Sequence, residues 1–152
     1  MVSRDREDLY EMMQKTGVFG MQALDLIMEL VDHYLFDKEK NTYQVFVGEN
    51  DCHEVIAFAC FGETAGTEGT YKLYSLVVTP AWQRRGIGKV LLDYTEQIVR
   101  TRNARMVVIE ISSQQEYAAF VRFFNHQGYK SVGRIKSYYR SGEDMLFLVK
   151  YI

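Results

Sequence analysis

The residues that most clearly suggest chemistry are Gln83-Arg84-Arg85-Gly86-Ile87-Gly88-Lys89, which set three cations and two glycines directly ahead of a helical pattern. An apolar run, Leu76, Val77 and Val78, stops at Thr79-Pro80 just before them. After them Ile87, Val90, Leu91, Tyr94 and Ile98 recur at helical period, so the turn opens a helix. The first amides of a helix have no intrahelical partner and lie at the positive end of its dipole, and glycines keep side chains off the backbone. The chemistry such a turn offers is anion binding, with a phosphate or pyrophosphate as guest. Arg84, Arg85 and Lys89 add local positive potential to a chain that is slightly acidic as a whole. A P-loop is excluded, because it needs Ser or Thr after the lysine and Val90 stands there.

A second stretch, Arg105 to Ile111, reads as a buried strand with one carboxylate in it, Glu110. An ionised glutamate in an apolar strand is costly unless compensated. Glu110 must therefore be paired with a cation, protonated, or turned toward a wet cleft. A strand-end salt bridge and a general base are both compatible with that. His33, His53 and His126 are scattered over a helix, a strand edge and a helix end, where surface roles are expected. Cys52 and Cys60 lack CxxC spacing and have no histidines at metal-ligand intervals, so no metal site is expected and both are read as reduced thiols.

The elements that must position these groups follow from periodicity. Asp5 is the expected N-cap of a helix to Lys15, with Leu9, Met12 and Met13 on its apolar side and Gly17 as its stop. A second helix, Met21 to Leu35, turns Leu24, Ile27, Met28, Val31 and Leu35 inward and Asp25, Glu29 and Asp32 outward. Tyr43, Val45 and Val47 alternate, Gly48 to Asp51 makes a turn, and Val55 to Phe61 is almost wholly apolar: a hairpin whose second strand is buried on both faces. Gly62 to Thr70 is a glycine-rich loop into a central strand, Tyr71 to Thr79, and Trp82 after it is expected to be a packing plug. Tyr117 to Gln127 is a helix with Phe120, Phe123 and Phe124 on one side and Gly128 as its cap. Lys130 to Ile135 and Asp144 to Tyr151 close the sheet, joined by a loop from Lys136 to Glu143 that carries Tyr138 and Tyr139.

The chain has 152 residues, 47% of them apolar, and one proline, which fits a single domain over residues 1–152 with a sizeable core. A net charge of -2 gives no reason to bind nucleic acid broadly. No apolar run approaches the roughly 20 residues that span a bilayer, and Met1 to Asp8 is charged rather than signal-like, so no membrane association is expected and a cytoplasmic location is the default.

Gln83-Arg84-Arg85-Gly86-Ile87-Gly88, between a strand ending Val-Thr-Pro and a helix, resembles motif A of the GCN5-related N-acetyltransferase (GNAT) family. Phe123-Phe124-Asn125-His126-Gln127-Gly128-Tyr129 resembles that family's motif B, and the aromatic segment before Gly142-Glu143-Asp144 is similar to the family's acceptor-site loop. The resemblance covers about Asp5 to Ile152. It implies an α/β (α+β) fold, a mixed, mainly antiparallel sheet of six or seven strands flanked by four helices. Acyl-CoA would lie in the cleft between the splayed fourth and fifth strands of the family count, here Tyr71–Thr79 and Arg105–Ile111. Met1 to Arg4 is too short for the family's usual first strand.

The resemblance also assigns roles. Backbone groups of Leu76, Val77 and Val78 would hold pantetheine and the acetyl group, with the Val78 amide as oxyanion donor. Gln83, Arg84, Arg85, Gly86, Ile87, Gly88 and Lys89 would cradle the pyrophosphate. Glu110 would be the general base. Phe124 replaces the tyrosine that often serves as general acid, so it lines the cofactor site without that role, and Tyr139 or Tyr138 is the alternative proton source. The first two helices border the acceptor cleft in this family, so the acidic face of the second could attract a cationic substrate. The implied function is acetyl-CoA-dependent N-acetylation of a primary amine on a small molecule, protein or peptide. The alternative is an acyl-CoA-binding regulatory or interaction domain. Expected partners are acetyl-CoA and an amine acceptor, with a homodimer left open.

Overall fold

A computed structural model describes residues 1–17, 19–37 and 42–152. The apolar and alternating stretches form β1 (Tyr43–Glu49), β2 (Val55–Glu63), β3 (Thr70–Val78), β4 (Met106–Ser112), β5 (Lys130–Arg140) and β6 (Glu143–Tyr151). The helices are α1 (Asp5–Thr16), α2 (Met21–Phe36), α3 (Ile87–Thr101) and α4 (Ala118–His126). The six strands make one sheet in the order β1-β2-β3-β4-β6-β5. Every neighbouring pair is antiparallel except β3 and β4, which α3 joins as a parallel crossover. This is the expected mixed sheet with four helices, and Met1 to Arg4 forms no strand.

Each face of the sheet carries a helix layer. Leu9 and Met13 of α1 and Leu24, Ile27 and Val31 of α2 pack on Val45, Phe58 and Cys60. On the other face Leu91, Leu92 and Val99 of α3 and Phe124 of α4 pack on Phe61, Leu73, Val107, Ile109 and Leu148. All residues of β2 from Val55 to Gly62 are buried, because the strand lies between both layers.

Several elements differ from the periodic reading. Asp5 is the first residue of α1 rather than its cap: it is buried, and its carboxylate accepts the Val2 N–H at 2.7 Å. On α3 the buried residues are Leu91, Leu92, Thr95, Glu96 and Val99, whereas Val90 and Tyr94 are exposed. Two polar residues lie in the inward stripe because both are bonded there. Thr95 Oγ1 donates to the Leu91 carbonyl at 2.9 Å, and Glu96 accepts from Tyr129 Oη at 3.1 Å and Lys150 Nζ at 2.6 Å. The segment Lys136 to Glu143 is no loop. β5 runs on to Arg140, which pairs with Glu143 across a Ser141-Gly142 turn. Between Ile135 and Arg140 five steps of β5 face two of β6, so Lys136 to Tyr139 bulges outward. Asp144 pins the bulge, accepting the Ser137 N–H at 2.7 Å and pairing with Arg134.

Candidate active site

The parallel ladder between β3 and β4 is short. Thr70, Tyr71 and Lys72 pair with Met106, Val107 and Val108, and beyond that step the strands part. A bulge in β3 accompanies the parting: Phe61 faces Leu73 while Cys60 faces Ser75, which makes Tyr74 an extra residue. The gap is a cavity of about 110 Å³ bordered by Leu73 to Leu76 on one strand and Ile109 to Ile111 on the other, with Tyr117, Phe120 and Phe124 as its wall. A second cavity of about 330 Å³ neighbours it, with Leu76 and Phe120 bordering both, and runs along Val78 to the N-terminus of α3.

The turn at that N-terminus is built as its sequence suggests. Gly86 is the N-cap residue at φ +82°, a conformation open to glycine at little cost, and the Lys89 and Val90 amides bond its carbonyl at 3.0 and 3.1 Å. The Ile87 and Gly88 amides precede this ladder. A Cβ on Gly88 would lie 3.7 Å from Leu76, Val78 and Phe123, so the missing side chain is part of the cavity itself. The structure thus offers a basic cradle of helix N-terminal amides beside a mostly apolar cavity.

Leu76, Val78, Gln83, Arg84, Gly86, Gly88 and Lys89 all line the larger cavity. Gln83 also ties the turn to the strand, donating Nε2 to the Val78 carbonyl at 3.0 Å. Three other turn and strand residues send their side chains elsewhere. Val77 is buried in the core under α1 and α2, Ile87 packs on the core under α3, and the Arg85 guanidinium lies 4.8 Å over the Trp82 ring. Trp82 is half-buried in the cavity wall rather than plugged into the core. Phe124 borders the smaller cavity, edge-on to Phe123 and Tyr129.

Glu110 faces the gap and is paired. Lys72 Nζ lies 2.6 Å from its Oε2, with both side chains about a quarter exposed, and the same ammonium sits 5.2 Å over the Tyr74 ring. Burial pushes the Tyr74 phenol up to about 12. Burial, and then the Glu110 charge, raise Tyr139 above the ordinary tyrosine value, which keeps its proton in place at neutral pH. Tyr138 and Tyr139 ride on the β5 bulge, both about half exposed, with rings edge-to-face at 5.0 Å.

Sequence reading missed Lys72 and Ser75. Lys72 becomes visible only through the parallel register that sets it beside Glu110. Ser75 is 6% exposed, borders the smaller cavity, and its Oγ has no hydrogen-bond partner among the described residues. A buried unpaired hydroxyl costs about 1–3 kcal/mol. Its polarity inside an apolar strand was the available signal. Cys52 is exposed and Cys60 buried, and both are free; burial raises the Cys60 thiol to about 12. His33 and His53 are exposed beside Asp37 and Glu49, and His126 is exposed at the end of α4. Among the described residues no helix is long and apolar enough to cross a membrane.

An open sheet whose central parallel strands part beside a glycine-opened, basic helix N-terminus is the architecture of an acyltransferase. The chain belongs to the acetyltransferase (GNAT) family, whose sequence model matches residues 7–129. A protein from Desulfovibrio desulfuricans assigned to that family is 29% identical, and the superposition covers 99% of this chain and 94% of that one at a TM-score of 0.91. The ribosomal-protein-S18-alanine N-acetyltransferase of Escherichia coli is 18% identical over 100% of this chain and 90% of its own, at 0.78. An aminoglycoside 6'-N-acetyltransferase complexed with coenzyme A is 15% identical over 96% and 89%, at 0.74. At those identities the last two are likenesses of fold. No curated protein sequence matches the chain significantly.

Proposed function

We propose that the protein transfers the acetyl group of acetyl-CoA to a primary amine. The observation that carries this reading is the parting of β3 and β4 beside the Gly86-Ile87-Gly88 turn, which sets a cavity at an anion cradle next to a cavity that holds a carboxylate. The Ile87 and Gly88 amides, with Arg84 and Lys89, suit a pyrophosphate. Backbone groups of Leu76, Val77 and Val78 suit pantetheine and the acetyl carbonyl. The Val78 amide, on this reading, donates to the oxyanion that forms on attack, where preorganised dipoles accelerate most.

The amine must lose a proton before or during attack, and Glu110 is the acceptor for it. The C–N bond then forms, the C–S bond breaks, and the electron pair leaves on the CoA thiolate. A thiol has a pKa of about 8.5, so protonating the thiolate at pH 7 gains only ~2 kcal/mol. The buried phenyl of Phe124 cannot supply that proton, whereas Tyr139, held neutral, can. The two free thiols suit a reducing compartment such as the cytoplasm.

Phe124 also favours a second reading, an acyl-CoA-binding regulatory or interaction domain with little turnover. Free-thiol release on mixing the protein with acetyl-CoA and a panel of amines separates the two. Thiol release with an acetylated product by mass spectrometry supports the transferase, while acetyl-CoA binding without turnover of any amine supports the sensor.

A further inference from the structure

Two carboxylates at the start of β6 tie the end of β4 to the β5 bulge, and the proposed reaction uses neither. Asp144 is 7% exposed and bonded on both sides. Its backbone exchanges hydrogen bonds with Ser113, just past the end of β4: the Asp144 N–H donates to Ser113 Oγ and the Ser113 N–H to the Asp144 carbonyl, each at 3.0 Å. Its side chain accepts the Ser137 N–H at 2.7 Å and pairs with Arg134. Those contacts, the Ser137 N–H first, hold the carboxyl below the usual carboxylate range, so it is charged at neutral pH. Glu143 repeats the pattern one residue earlier, accepting from Ser112 Oγ and from Arg140 Nε, both at 2.6 Å.

Ser137 is the residue that these bonds constrain. Its φ is +51°, a left-handed conformation that is costly for most residues with a side chain. Such a backbone persists where its surroundings over-determine it, and an outlier of this kind points toward a functional site. A bulge can serve an edge strand merely by blocking further pairing, but that needs neither a buried carboxylate nor strain in the bulged residue. This bulge carries Tyr138 and Tyr139. Burial and then the Glu110 charge raise the Tyr139 phenol, so Tyr139 and Glu110 lie within electrostatic reach of each other. Glu110 stands on β4 three positions before Ser113, and one short chain of bonds therefore links the strand of that carboxylate to the tyrosines.

We propose that Asp144 is a positioning residue of the acceptor site: it fixes the bulge from Ser137 to Tyr139 to the end of β4 and so sets the two tyrosines against Glu110. This rests on the acetyltransferase reading above. Asp144 acts through the tyrosines and not on either substrate.

The test measures kcat/KM and acetyl-CoA affinity with the fastest of three amines, alanyl-leucinamide, Nα-acetyllysinamide and spermidine. Asp144→Ala removes the tie to Ser137 and should lower kcat/KM for the amine about tenfold at unchanged acetyl-CoA affinity. Asp144→Asn keeps an oxygen for the Ser137 N–H and should lose much less. Ser137→Val leaves Asp144 in place but is β-branched where φ is positive, so it should lose as much as Asp144→Ala, whereas Ser137→Gly should stay near the wild type. The same substitutions are then made in a Tyr138→Ala, Tyr139→Ala background, where nothing is left to position and Asp144→Ala should cost no more than about twofold. The full loss persisting in that background overturns the proposal, as does a matching fall in acetyl-CoA affinity, an unaffected Asp144→Ala or Ser137→Val, or a double alanine variant as active as the wild type. If Asp144→Ala does not fold, Ser137→Val in the two backgrounds decides. Wild-type protein that acetylates none of the three amines overturns the transferase reading together with this one.

Discussion

Lys72 Nζ reaches Oε2 of Glu110 at 2.6 Å, two residues past the last rung that joins β3 to β4. The pair bridges the parting strands and fixes the carboxylate at the mouth of the gap. Its expected signature is coupling. Glu110→Gln keeps the size of the side chain but accepts no proton from an ammonium, so turnover should fall roughly 10²-fold at unchanged acetyl-CoA affinity. Lys72→Met should lower kcat/KM by about tenfold through loss of positioning, with Lys72→Arg much milder. The double variant should be no worse than Glu110→Gln alone. Stopped-flow thiol release and calorimetry on the wild type and the four variants check this, and equal losses of affinity and turnover would mark Glu110 as structural.

The cofactor cradle predicts a graded response at Gly86. Its φ of +82° penalises any side chain, though asparagine and aspartate bear that conformation best, and a Cβ there meets nothing within 4 Å. Gly86→Asn should therefore fold and bind acetyl-CoA with modest loss. Gly86→Asp, nearly the same shape with a negative charge at the helix N-terminus, should abolish binding. Calorimetry on the two folded proteins isolates the charge, and identical affinities would remove the turn from the site.

The proton source is tested where the chain departs from its family. Phe124→Tyr should raise turnover by less than the ~2 kcal/mol that thiolate protonation offers. Tyr139→Phe should lower it if Tyr139 is the donor. Because burial and Glu110 raise Tyr139 above the ordinary tyrosine value of about 10, the wild-type rate should show no loss from its ionisation between pH 6 and 9. Full activity across that range in the Tyr138→Phe, Tyr139→Phe double variant would exclude both phenols.

A stability prediction comes from the inward polar pair of α3. Glu96 is buried and held by Lys150 and the Tyr129 hydroxyl. Lys150→Met leaves that carboxylate without its cation and should cost about 2–3 kcal/mol. For a chain of this size each kcal/mol moves the melting temperature by about 2–4 °C. Adding Glu96→Met should recover much of the loss, since the uncompensated charge is gone. Thermal unfolding of the single and double variants measures it.

The anion cradle was legible because its chemistry is local: glycines, cations and a helix start lie within seven residues. Glu110 was legible as an anomaly in an apolar strand, but its partner was not, since the link to Lys72 depends on a parallel register between residues 38 positions apart. Thr95 and Glu96 concealed the true inner face of α3, because tertiary bonds and not their hydropathy bring them inside. β5 read as a loop beyond Ile135 for a related reason. Almost every residue of this edge strand is exposed, so no buried face imprints an alternation on it.

The short β3–β4 ladder gives the sheet the mechanics of two plates on a hinge. β1, β2 and β3 form one plate and β4, β6 and β5 the other, with three rungs between them. A guest lying along the gap would act as a splint, bonding to strand edges that the opposite plate does not reach. Binding and folding then share one free energy, so saturation at 100 times Kd should add about 2.7 kcal/mol to global stability. The amides slowed most in hydrogen exchange should be those beside the seam, on Leu73 to Val78 and Ile109 to Ser112.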